Sequence, residues 1–99
     1  MRFSFKANKI KSLYEYAKDA HKYPNVVDDF FEVMDIIENV QNSREIYAFK
    51  SLRFEKLEGK RGKAEQRSLR LNKQYRLIVI LRTDQQGEYL EILDIEDYH

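Results

Sequence analysis

Residues 66–81 read QRSLRLNKQYRLIVIL. In the first six, Leu69 and Leu71 alternate with Ser68 and Arg70, the period-two pattern of a half-buried strand. Residues 75–81 are almost continuously apolar, as expected of a strand covered on both faces and therefore central in its sheet. Asn72-Lys73-Gln74 between them reads as a hairpin turn. Strand side chains alternate, so Leu69, Leu71, Leu77, Val79 and Leu81 point one way and Ser68, Arg70 and Arg76 the other. Toward the C-terminus, residues 84–87 form a second turn and residues 89–95 a last strand. Leu90, Ile92 and Asp94 fall on one of its faces, and Glu91, Leu93 and Ile95 on the other.

Upstream, Leu52, Phe54 and Leu57 keep a near-two period with room for a bulge. Residues 58–63, EGKRGK, form a basic, Gly-containing turn that lacks the GxxxxGK[ST] spacing of a phosphate-binding loop. Residues 44–49 fit a helical turn or the start of a strand equally well. Further back the period becomes helical. Ile10, Leu13, Tyr14, Ala17 and His21 make one stripe; Val27, Phe30, Met34, Ile37 and Gln41 make a second, broadened by Val33 and Ile36. Pro24 separates them, Asn25 is placed to cap the second helix, and Asp28 and Asp29 suit its positive end. Phe30, Phe31 and Met34 read as core, not as a cofactor pocket. Phe3 and Phe5 against Arg2 and Ser4 suggest a short strand at residues 1–5. The order implies an α+β fold, two N-terminal helices packed on an antiparallel β-sheet, in a single domain over residues 1–99.

With 99 residues, 42% hydrophobic, the chain suffices for one core. It has no cysteine, which excludes disulfides, thiol nucleophiles and Cys-based metal sites. No apolar run approaches the ~20 residues of a membrane helix, and the start lacks the pattern of a signal peptide. A cytoplasmic protein is expected. The net charge of +1 hides an uneven distribution: residues 50–82 hold 11 basic and 3 acidic residues, whereas residues 83–99 hold 6 acidic and no basic ones. The first of these segments suits a polyanion. The plain alternative is a solvated basic surface paired with the acidic tail.

The face carrying Ser68, Arg70 and Arg76, with Lys56, Lys60, Arg61 and Lys63 beside it, is expected to be a basic sheet surface. Guanidinium suits phosphate because its planar fork donates two bonds and keeps its charge. The terminal Asp97-Tyr98-His99 adds an acceptor, a phenol and an imidazole able to move protons near neutral pH, although chain ends commonly fray. His21 and His99 lie far apart in sequence, so no metal site is indicated.

Residues 56–59, the following Arg61 and Gly62, the run RSLRLNKQYRLIVIL and the ending EILDIEDYH together resemble the HigB toxins. These belong to the RelE-like superfamily of toxin–antitoxin ribonucleases, with a pattern LKGxRxGxWSIRINxQWRI followed by a hairpin and a terminal DYH. The motif-bearing part covers residues 52–99. The resemblance implies a fold like the microbial ribonucleases and cleavage of mRNA on the translating ribosome, without a cofactor. It also implies neutralisation by a helix-turn-helix (HigA-like) antitoxin, operator DNA being reached only through that partner. A base would take the 2′-hydroxyl proton, the oxygen would attack the adjacent phosphate, and an acid would protonate the leaving 5′-oxygen. On this resemblance His99 is acid or base, Asp97 orients it or shares the proton work, Tyr98 stacks on or positions a base, and Arg76 and Arg70 hold the scissile phosphate. Lys56, Lys60, Arg61, Lys63, Arg67 and Ser68 contact flanking RNA.

Three positions depart from the pattern. Phe54, Glu55 and Lys56 occupy the stretch where some members carry a second His, Glu58 replaces the Lys of LKG, and Arg67 replaces an aromatic residue. Glu55 and Glu58 thereby become candidate bases. The departures keep a rival open: a non-cleaving regulator that binds RNA or antitoxin on the same fold. A gyrase-directed toxin on that scaffold is disfavoured by Arg76 and the Tyr98-His99 ending.

Overall fold

The computed structural model describes residues 1–98; His99 lies outside the described residues. The elements are β1 (Arg2–Phe5), α1 (Asn8–Tyr16), α2 (Val27–Asn39), α3 (Ser43–Ala48), β2 (Glu55–Lys56), α4 (Gly59–Lys63), β3 (Gln66–Arg70), β4 (Tyr75–Asp84) and β5 (Gly87–Asp97). Short 3₁₀ turns at Ala20–Lys22 and Lys50–Leu52 complete the chain. The five strands form one sheet in the order β1-β5-β4-β3-β2, with β4 in the middle. Leu77, Ile78, Val79 and Ile80 are all buried, which accounts for the unbroken apolar run of that strand.

The fold is α+β as expected, but the sheet is mixed: β1 runs parallel to β5, with Phe3 opposite Leu90, while every other pairing is antiparallel. The crossover from β1 to β5 spans most of the molecule, so nothing local in the sequence sets its direction. Ile10, Leu13, Phe30, Met34, Ile37, Leu69, Leu77, Val79, Leu90 and Ile92 form one core between the helices and a single sheet face. Phe3, Phe5, Tyr14 and Phe31 pack against it, with ring centroids 5.5–6.2 Å apart around Tyr14.

Three local expectations change, and the open choice at residues 44–49 falls to the helix. Helix α1 stops before His21 because Ala17 turns left-handed (φ 53°), its N–H closing on Leu13 O and that of Lys18 on Ser12 O. Asn25 is itself left-handed (φ 69°), and Val26 takes the N-cap of α2 without a side-chain bond. Residues 44–49 lie mostly in a helix: Asn42 Oδ1 accepts from the Glu45 N–H at 3.2 Å while Glu45 accepts from the Gln41 N–H at 2.6 Å. The basic turn after Glu58 coils into the single-turn α4.

The largest change concerns β5. Ile78 pairs with Asp94 but Val79 with Ile92, so Leu93 is an extra, bulged residue. Beyond the bulge the faces exchange. Ile95 joins the core side, and Asp94 and Glu96 come to the face of Arg76, contrary to the simple alternation.

Candidate active site

The Asn72-Lys73-Gln74 turn organises the site end of the sheet. Asn72 Oδ1 accepts the N–H groups of Gln74 (2.8 Å) and Tyr75 (2.9 Å), fixing the turn between β3 and β4. Arg70 and Arg76 are directly opposite each other in that ladder. Both donate to the main-chain oxygen of Asn72, Arg76 at 2.9 Å and Arg70 at 3.3 Å, and Arg76 also reaches Tyr75 O at 3.2 Å. Two like charges are thus held side by side by neutral carbonyls. No carboxylate forms an ion pair with either among the described residues. Burial pushes the Arg76 guanidinium below the ordinary arginine value, and repulsion from Arg70 and Arg53 adds to this; Tyr98 and Glu55 act in the opposite sense. A cation under such strain is stabilised by any anion placed before it.

The tail closes over this pair. Gln74 O accepts the Tyr98 N–H at 2.6 Å, and Gln74 Nε2 donates to Asp97 at 3.0 Å. The Arg76 guanidinium lies 4.9 Å from the Tyr98 ring centroid. Beside it is a recess of about 270 Å³ lined by Glu55, Lys56, Leu57, Glu58, Ser68 and Tyr98. The recess therefore places two carboxylates, a hydroxyl and an aromatic ring next to paired guanidinium groups.

The expected site residues divide into three groups. Arg70, Arg76, Ser68, Tyr98, Glu55 and Glu58 converge as described, although Ser68 is buried in the recess wall and not presented to solvent. Lys60 and Lys63 stand exposed on α4, and Lys56 pairs with Glu65 at 3.6 Å. Arg61 is already engaged: it grips Glu96 through two bonds (3.0 and 2.6 Å) and donates to Gln66 Oε1 at 3.0 Å. The acidic tail thus does hold part of the basic surface, and the hydrogen-bonded Glu96 carboxylate raises the pKa of Arg61. Arg67 does not belong with the others. It pairs across from Val79 on the helix side, donates to Tyr47 Oη at 2.7 Å and lies 5.5 Å from the Phe54 ring. The alternation that put Leu69 inward put Arg67 there as well. The expected role of His99 lies outside the described residues. Arg53, left-handed at φ 45°, adds like charge near Arg76 and sits in no pattern that marks it. Among the described residues no group of three His, Asp or Glu side chains is placed to hold a metal ion.

The comparison with known families bears on this arrangement directly. The model for the RelE-like toxin of the type II toxin–antitoxin system HigB matches residues 3–99. The chain belongs to the HigB-like toxin family. Its function is accordingly that of the toxin in a type II toxin–antitoxin pair, which implies an antitoxin partner. Among solved structures, the YoeB/ParE toxin from Agrobacterium tumefaciens is similar, with a TM-score of 0.57 at 14% identity over 100% of both chains. At that identity the likeness concerns the fold. No curated protein sequence is similar enough to match. No helix among the described residues is long and apolar enough to cross a membrane.

Proposed function

We propose that this HigB-like toxin is an mRNA endoribonuclease that acts on the translating ribosome, in the cytoplasm, and is silenced by a helix-turn-helix antitoxin. One observation carries the proposal: Arg70 and Arg76 are packed side by side on carbonyls, without a carboxylate ion pair among the described residues, and Arg76 lies against Tyr98, which lines a recess with Glu55, Glu58 and Ser68. A structural arginine is normally neutralised by an acid. This pair instead awaits an anion, and a phosphodiester answers both forks.

With the scissile phosphate on Arg76 and Arg70, the neighbouring 2′-hydroxyl falls within the recess. A base removes its proton; the oxygen attacks phosphorus, and the bond to the 5′-oxygen breaks as an acid supplies a proton to it. The products are a 2′,3′-cyclic phosphate and a free 5′-hydroxyl, with no metal step required. His99 is acid or base, Asp97 orients it, and Glu55 or Glu58 takes the complementary proton. Tyr98 offers a ring on which a base can stack. Lys56, Lys60 and Lys63 bind flanking phosphates or ribosomal RNA.

The test is primer extension on mRNA in a reconstituted translation system with wild type, Arg76→Ala and a variant lacking His99. Cleavage by the wild type alone supports the reading in full. Cleavage that survives loss of His99 retains the nuclease and moves both proton transfers to Glu55, Glu58 and Asp97. A folded, antitoxin-free wild type that cuts nothing leaves a non-cleaving binder on this fold.

A further inference from the structure

We infer that Asn72 is a positioning residue for this site, linking the two guanidiniums and the tail to the N-terminal end of α2. The inference rests on the proposed nuclease reading and extends it to a residue that touches no substrate. Three functions meet at Asn72. Its side-chain oxygen accepts from Gln74 N and Tyr75 N and shapes the turn. Its side-chain nitrogen donates to Asn25 O and to Asp29 Oδ2, both at 2.9 Å. Its main-chain oxygen receives Arg70 and Arg76. The amide orientation is dictated by chemistry, since two N–H donors face one end and two oxygens face the other.

The geometry gives each bond a consequence. The main-chain oxygen of Asn72 can hold two guanidiniums only if its peptide plane is fixed, and the two side-chain acceptor bonds and two donor bonds fix it from either side. Asn25 is ready to receive because its left-handed backbone (φ 69°) leaves it outside α2, its carbonyl free of the helix ladder. That conformation, which cost Asn25 its capping role, thus has a use. The same turn continues to Gln74, whose carbonyl holds the Tyr98 N–H and whose amide holds Asp97. Moving the turn would therefore move the phosphate-binding arginines and the proton-transfer tail together. Serine would retain an acceptor but lose the donor arm, and aspartate would retain the acceptor and face Asp29 with like charge.

Three variants, Asn72→Ala, Asn72→Asp and Asp29→Ala, are compared with the wild type by two readouts. The first is side-chain NMR of Arg70 and Arg76 (Nε–Hε signals, and the ring-current shift that Tyr98 imposes on Arg76), which needs no activity. The second is the cleavage rate against the affinity for ribosomes carrying an uncleavable 2′-deoxy mRNA. Asn72→Ala is expected to displace the Arg70 and Arg76 signals and to lower the rate by ~10²-fold, as a misplacement of about 1 Å does. Affinity should change by no more than about 3-fold, because both cations remain. Asp29→Ala, which removes only the outer anchor, should shift the same signals in the same direction by less. If Asn72→Ala does not fold, Asn72→Asp carries the test, since it keeps the acceptor that closes the turn. Unchanged arginine signals in the folded Asn72 variants overturn the inference. So does a loss of rate accompanied by an equal loss of affinity. A wild type that fails to cleave defeats the nuclease reading alone, and the NMR comparison still decides the role of Asn72.

Discussion

Near each end of β4 an arginine lies over a tyrosine, and the two pairs are held in opposite ways. At the end near the Asp84–Gly87 turn, the Arg2 guanidinium lies 5.2 Å from the Tyr89 ring centroid, donates to both oxygens of Asp84 (3.1 and 2.6 Å) and reaches Gly87 O. At the other end, Arg76 lies 4.9 Å from the Tyr98 ring and, among the described residues, donates only to carbonyls. Arginine over tyrosine is common to both; the carboxylate is not. The first is a clasp that ties β1 to the β4–β5 hairpin, its charge spent on a neighbour. The second has no carboxylate ion pair among the described residues, and on the proposed reading its charge meets the phosphate. Arg61 with Glu96 and Arg82 with Glu91 belong to the first kind. Acceptors thus divide the cations into those paired with a carboxylate and those held on carbonyls, which a count of positive charges cannot do.

The widest separation between the two ends should appear in cleavage. Arg76→Ala is expected to lower the rate by ~10²–10³-fold, the loss typical of removing a preorganised donor at the reacting phosphate. The magnitude of its salt slope for RNA affinity should fall by about 1. Arg2→Ala should leave the rate within about 3-fold of wild type. Primer extension on both variants breaks the comparison if the two lose activity equally.

A large effect on stability is expected at the wall of the recess. A Cβ added at Gly62 would sit 2.0 Å from Leu57 O, a backbone atom that cannot step aside cheaply. Gly62→Ala should cost about 1–3 kcal/mol in urea unfolding, at the scale of overpacking, with α4 shifting away from β3. An unchanged midpoint would mean that α4 is not seated as described.

The far end should in turn be the acid-sensitive one. Arg2, then the Gln86 N–H, hold the Asp84 carboxyl below its ordinary value, and the Ser43 N–H and hydroxyl do the same for Glu88. Groups depressed in the folded state stabilise fully above the unfolded-state pKa, near 4, and lose that contribution as pH falls through the folded value. Asp84→Asn with Glu88→Gln should therefore flatten the pH dependence of stability below about pH 4. The carbonyl-held Arg76 adds nothing to that limb, since it stays protonated throughout. Urea midpoints from pH 6 to pH 2 check this; an unaltered slope in the double variant counts against it.

The site end was the more legible of the two from sequence. Alternation over residues 66–81 places Arg70 and Arg76 on one face and β4 at the centre, because burial on both sides demands an apolar run. The same rule assigns Arg67 to the helix side, where Tyr47 and Phe54 hold it; local basicity masked that. What stayed hidden depends on non-local geometry. The bulge at Leu93 leaves no mark in an apolar–acidic alternation, yet it decides that Glu96 meets Arg61. Asn72 reads as one more turn residue until its partners Asn25 and Asp29 are known. Arg53, whose charge acts on Arg76, sits at a left-handed position that no local pattern marks.

Asp94 provides the smallest effect and the finest test of that bulge. The acidic tail as a whole was expected to brace the basic face, but its members have separate partners: Glu96 takes Arg61, whereas Asp94 takes Lys9 of α1 at 3.4 Å with both side chains well exposed. A pair of that kind contributes about 0–1 kcal/mol, screened by salt. Asp94→Ala should accordingly lower stability by no more than that and leave cleavage intact, and Lys9→Ala should be no more costly. Their double variant should show a coupling near zero at high salt. If Asp94→Ala instead cost several kcal/mol or removed cleavage, Asp94 would have to act on the arginine pair whose sheet face it shares, and Lys9 would not be its main partner.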